Sequence, residues 1–110
     1  MTATAREILQ EARRIYEADG VVVPVDADVP EGCVCALTAV DRAVGRVCPV
    51  ASEWAGEADE AYRLVDDCIG GGSAWGVMVA GAESRERVLA GYADAIAAVA
   101  QGKRRRFSCR

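Results

Sequence analysis

The chain has no histidine and no asparagine, and only one lysine, Lys103, against twelve arginines. Histidine is the side chain most often used as a general base and as a neutral metal ligand. Without it, a serine or cysteine nucleophile has no ordinary activating partner. A serine–lysine pair would have to draw Lys103 out of a basic C-terminal stretch. Aromatic residues are also scarce: two Trp, three Tyr and one Phe in 110 residues. The most apolar segment, Gly76 to Ala82, falls far short of the roughly 18–20 residues that span a bilayer. No basic leader followed by an apolar stretch marks the N-terminus as a secretory signal. These absences predict a cytoplasmic chain with no membrane span.

What the chain does contain is small and apolar. Its hydrophobic fraction is 52%, and much of that is alanine and valine. Alanine favours helices and lets them approach closely, so a helix-on-helix core is expected. A chain of this length removes roughly two-thirds of its unfolded surface from water, enough for a core without disulfide or metal staples. It is read as a single helical domain over residues 1–102 with a basic tail over 103–110. The net charge of −4 hides that division. Residues 103–110 carry five positive charges and no acid; residues 1–102 carry 8 basic against 17 acidic residues, a net −9. An acidic body disfavours a broad nucleic-acid face, because such affinity comes chiefly from neutralised phosphates. The preference for arginine, alanine, glycine and valine over lysine and asparagine follows GC-rich codons and points to a high-GC source.

Periodicity predicts about four helices. The first opens at Thr4, where Thr4-Ala5-Arg6-Glu7 fits a capping box. Ile8, Leu9, Ala12, Ile15 and Tyr16 form its apolar stripe, Arg13 and Glu17 can pair outside, and Gly20 ends it. Val21-Val22-Val23-Pro24-Val25 reads as an edge or irregular extended segment, since Pro24 removes a ladder donor. A second helix is expected from about Gly32 to Val44, with Cys33, Leu37, Val40 and Val44 on one face, Ala36 and Ala43 beside it, and Gly45 as its stop. The third, from Ser52 or Gly56 to Ile69, is acidic outside and presents Ala61, Leu64, Val65 and Cys68 inward; Gly70-Gly71-Gly72 stops it. Residues 73–81 fit a short buried helix or an extended run equally. Ser84 caps the last helix, whose stripe is Val88, Leu89, Tyr92, Ile96 and Val99, with Gly102 as its stop.

The string Cys35-Ala36-Leu37-Thr38-Ala39-Val40-Asp41-Arg42-Ala43-Val44-Gly45 resembles the cysteine–alanine–leucine–glycine–alanine helix of a family of small actinobacterial and actinophage proteins of unknown function. Ala61-Tyr62-Arg63-Leu64, Ala74-Trp75, Arg87-Val88-Leu89 and Asp94-Ala95-Ile96-Ala97 extend the likeness over about Thr4 to Ala100. It departs where Gly76-Val77 follows the tryptophan in place of an asparagine–aspartate step, and where Val21 to Val25 replaces a segment bearing tryptophan and glycine. The resemblance implies a helical fold and a phage origin, and brings no catalytic residues with it.

The remaining chemistry is thin. Cys33, Cys35, Cys48 and Cys68 lack the two-to-four-residue pair spacing of structural zinc sites. On a helix, Cys33 and Cys35 would point about 200° apart. The cysteines are therefore expected as packing thiols, and disulfides such as Cys35–Cys48 or Cys48–Cys68 are disfavoured in a reducing compartment. Glycines 70–72 lack the Gly-Lys-Ser/Thr ending of a phosphate loop. No cofactor is implied. Glu57, Glu60, Asp66 and Asp67 leave carboxylate catalysis formally open, though acids opposite an apolar stripe usually form a solvated face. Asp59 and Arg63 are spaced for a surface pair. Trp75 is expected in the core, while Trp54 is open between core and contact.

The resulting expectation is a small non-enzymatic interaction or regulatory protein that binds a host or self partner. Trp54, Glu57, Glu60, Lys103, Arg104, Arg105 and Arg106 are its candidate contacts, and a homo-oligomer is one form it could take. Two alternatives remain: weak nucleic-acid association through the tail, and a cryptic enzyme built on the acids of the third helix.

Overall fold

The computed structural model describes residues 4–24, 26–28, 30–47 and 51–100, with residues 51–55 and 100 described as helical backbone only. Among the described residues there are five helices, one more than the sequence predicts: α1 (Ala5–Asp19), α2 (Ala36–Val47), α3 (Ala51–Cys68), α4 (Ala74–Glu83) and α5 (Arg85–Ala100). They share one hydrophobic core. The shortest extent of 35 × 30 × 19 Å is two helix diameters of ~10 Å each. Among the described residues no helix is long and apolar enough to cross a membrane.

α1 lies at the centre and packs on α2, α5 and α3. Its stripe is as expected: Ile8, Leu9, Ala12, Ile15 and Tyr16 are buried together with Ala5. Thr4 Oγ1 accepts the Glu7 amide at 3.2 Å. The reciprocal half of the box differs, because the Glu7 carboxylate accepts the Thr4 hydroxyl, at 3.3 Å. Glu11 binds Arg14 at 2.8 Å and Arg46 of α2 at 2.9 Å, tying two helices outside the core. Arg13 and Glu17 pair as their spacing predicts, at 3.6 Å.

The chain leaves α1 at Gly20, whose amide donates to the Tyr16 carbonyl at 2.7 Å. A single parallel bridge then joins Gly20 to Val34. The Val21 amide donates to the Val34 carbonyl at 3.2 Å and the Val34 amide to the Asp19 carbonyl at 3.0 Å. That bridge delays α2. Val34 is committed to pairing and Gly32 sits in a turn at φ 81°, so the helix starts at Ala36 rather than near Gly32. Cys33 therefore precedes the helix, and the buried face is Ala36, Ala39, Val40, Ala43 and Val44, with Leu37 at its margin. Gly45 does not stop α2, which continues to Val47.

α3 turns Ala58, Ala61, Leu64 and Val65 inward, with Ile69 just beyond it, and Cys68 packs half-buried at the edge. Tyr62 donates to the Asp41 carboxylate of α2. Burial first, and that hydrogen bond second, push the Tyr62 phenol up. The glycine run ends the helix as expected: the Gly70 and Gly72 amides both donate to the Asp66 carbonyl, at 3.0 and 2.8 Å.

Residues 73–83 resolve as a helix for a tertiary reason. Ser73 caps it, its Oγ accepting the Gly76 amide at 3.0 Å. Gly76 lies so close to Gly70 that a Cβ there would sit 1.9 Å from the Gly70 carbonyl oxygen. Two residues without side chains let α4 fold back on the end of α3 and bury Val77 and Ala80. Ser84 then serves two helices. Its amide donates to the Ala80 carbonyl at 3.1 Å, closing α4, and its Oγ accepts the Arg87 amide at 3.2 Å, opening α5. On α5, Val88, Tyr92 and Ala95 are buried. The predicted stop at Gly102 and the tail 103–110 lie outside the described residues.

The glycines separate two effects. Gly76→Ala gains ~1 kcal/mol of helix propensity but drives a methyl into backbone, an overpacking cost of about 1–3 kcal/mol, so a lower urea midpoint is expected. Gly45→Ala meets nothing within 4 Å and should stabilise the fold by roughly 0.5–1 kcal/mol, raising the midpoint. Equal shifts in the two variants would contradict the close approach at Gly76.

Candidate functional site

In front of α2, three separate segments enclose a cavity of about 80 Å³, open to solvent on one side. The segment after α1 contributes Val21, Val23, Pro24 and Ala27; the start of α2 contributes Ala36 and Leu37; α4 contributes Val77, Met78 and Gly81. Cys35, just before α2, supplies the one polar side chain among these lining residues, and its Sγ lies 3.2 Å from Thr38 Oγ1. The wall is otherwise aliphatic. The Gly20–Val34 bridge adjoins the lining residues Val21 and Cys35, and Gly76 directly precedes the lining residue Val77.

Two tyrosines lie deeper in the core. The Tyr16 and Tyr92 rings are fully buried, with centroids 6.1 Å apart and planes at 55°. The Tyr92 hydroxyl donates to the Ala36 carbonyl. Tyr16 Oη has no hydrogen-bond partner among the described residues. Burial raises both phenols. Tyr16 and Cys35 add to the rise at Tyr92, whereas the Arg85 guanidinium partly offsets it at Tyr16. Neither hydroxyl is available as a base near neutrality. Arg85 itself donates to the Glu17 carbonyl at the end of α1.

The acids of α3 are dispersed. Glu57 Oε1 accepts the Ala5 amide at 3.0 Å. A carboxylate there satisfies one of α1's four unpaired amides and faces the positive end of its dipole. The candidate contact Glu57 thus has a role inside the fold. Glu60 is half-buried. Asp59 pairs with Arg63 at 3.2 Å, as its spacing predicts. Asp66 and Asp67 line a shallow polar depression with Arg63 and Gly72. Among the described residues, no three His, Cys, Asp or Glu side chains come together as a metal site would require. Cys33 and Cys35 are free thiols. Because Cys33 and Cys35 both precede α2, the helical angle invoked to separate them does not apply. Cys48, the Trp54 side chain and residues Lys103 to Arg106 lie outside what the structure describes.

Trp75 overturns an expectation. It is not core: 62% of its surface is exposed, and Met78, one turn along, is 41% exposed. α4 has no charged residue from Ala74 to Ala82 and buries only Val77 and Ala80, so its outer face is apolar as well. A helix that is apolar all round is ordinarily enclosed; this one is enclosed on one side. The cavity residues carry no local motif, and the uncharged run 74–82 was the signal available for them. A scan against protein-family models and searches of curated proteins and of solved structures return no match for this chain.

The depression yields a pH test. Burial, and secondarily Asp67, hold the Asp66 carboxyl above its ordinary value of 3.8. Between that value and the raised one the folded state binds more protons than the unfolded state, so stability falls as pH climbs through the window. Asp66→Asn should therefore raise the thermal midpoint at neutral pH, with the advantage vanishing in acid below 3.8. A gap of constant size across that range would contradict the assignment.

Proposed function

We propose that this chain is a small, non-enzymatic interaction or regulatory protein of the cytoplasm, of actinobacterial or phage origin, that acts by binding a host or self partner through the outer face of α4. The observation that supports this reading is a tryptophan and a methionine left in solvent on an uncharged helix, beside an aliphatic cavity. Exposed apolar residues in a contiguous group mark contact surfaces more often than scattered ones do. Tryptophan and methionine are enriched at such surfaces, and a buried interfacial tryptophan is commonly worth ~2 kcal/mol or more. Glu57 is engaged by the Ala5 amide and Asp59 by Arg63, which supports structural and surface roles for these acids of α3 over catalysis.

The test compares affinity capture from a high-GC host, and sedimentation of the purified chain, for wild type and a Trp75→Ala/Met78→Ala variant. Partner recovery or self-association should fall at least tenfold in the variant, corresponding to ~1.4 kcal/mol or more, with the far-ultraviolet spectrum unchanged. Equal recovery from both proteins would move the contact away from α4. A wild-type chain that neither captures a partner nor self-associates would remove the proposal altogether.

A further inference from the structure

The cavity's size restricts its occupant. At about 80 Å³ it is well below the ~300–1,000 Å³ of small-molecule pockets. It is about half the ~150 Å³ cavity that encloses a whole benzene molecule, so an aromatic ring would enter it only in part. What fits is one large side chain, seated partly in the cavity and partly against Met78 at its mouth.

Charge restricts the occupant further. Ala27 lines the cavity, which places its exposed neighbours Asp26 and Asp28 at the rim. Glu31 is exposed on the same loop, and neither residues 21–35 nor α4 contain a basic residue. Among the described residues, none of the ion pairs involves Asp26, Asp28 or Glu31. The complementary ligand is a peptide with consecutive cations next to one bulky apolar residue. The chain contains such a segment: Lys103-Arg104-Arg105-Arg106 leads directly into Phe107, its only phenylalanine.

Reach decides which copy supplies it. α5 begins two residues after α4, beside Gly81 of the cavity wall, and its 16 residues carry the chain ~24 Å away. Phe107 follows Ala100 by seven residues, at most ~25 Å when fully extended. The return path on the same molecule has no slack to curve around α5. A second molecule meets no such constraint.

We propose that residues 103–110 of one copy dock on the cavity of another, with the Phe107 ring against Leu37, Val77 and Met78 and Arg104 to Arg106 on Asp26 and Asp28. This rests on the interaction-protein reading and names its partner as a second copy of the chain. Reciprocal exchange of tails would close a two-fold dimer. The ionic part of the contact weakens as salt shortens the screening length.

The test is sedimentation of the full chain under reducing conditions at low and high salt, for wild type, Phe107→Ala, Met78→Asp and a deletion of residues 103–110. A labelled peptide of residues 101–110 is then titrated onto the deletion protein. Wild type should dimerise with rising concentration, more weakly at high salt. All three variants should lose at least tenfold in association, and the peptide should bind the deletion protein but not its Met78→Asp form. Met78 is exposed, so Met78→Asp leaves the core untouched. A wild-type monomer at every concentration, a dimer that survives the deletion, or peptide binding indifferent to Met78→Asp would each overturn the proposal. So would a tail that binds a DNA duplex while the protein stays monomeric. A monomer that still captures a host protein through Trp75 would defeat self-docking and leave the proposed function standing.

Discussion

Tyr92 is the residue through which the helices meet. It rises from α5, lies against Tyr16 of α1, and gives its hydroxyl to the carbonyl of Ala36 where α2 begins. An aromatic pair contributes about 0.5–1.5 kcal/mol beyond the area it buries. Its share is large here because the rest of the core is built from small residues: nine of the buried hydrophobic residues are alanines. Alanine brings backbones together but fills little volume, so the two tilted rings fill space between α1 and α5 that the small residues leave. The Tyr92 hydroxyl also fixes the first turn of α2 from within, at the Ala36 carbonyl.

Legibility in the sequence followed the range of the interaction concerned. α1 and the end of α3 were readable because a stripe, a cap and a glycine stop are all local. Ser84 was readable as a cap for α5, although its second duty to α4 was not. The start of α2 was misplaced because Val34 pairs with a residue fourteen positions earlier, and no helical period reports such a bridge. α4 gave no usable period because it is apolar on every side. Its identity was settled by two glycines, Gly70 and Gly76, in contact across a turn, which no local pattern reports.

The candidate site was less legible for the same reason. Its wall is assembled from residues 21–27, 35–37 and 77–81, which form a surface only after the chain has folded. Trp75 looked like core because its neighbours are apolar, yet on a helix the neighbours in sequence face different ways. Glu57 looked like surface because its neighbours are acidic, yet its carboxylate reaches the first amide of α1. In both cases composition described the segment correctly and left the direction of the individual side chain open.

The thin dimension of the molecule has a consequence for hydration. With 19 Å across two layers of helices, every described core side chain is about one helix away from bulk water. A surface that covered an outer face would itself expel the water there on arrival, where a deeper fold would have excluded it in advance.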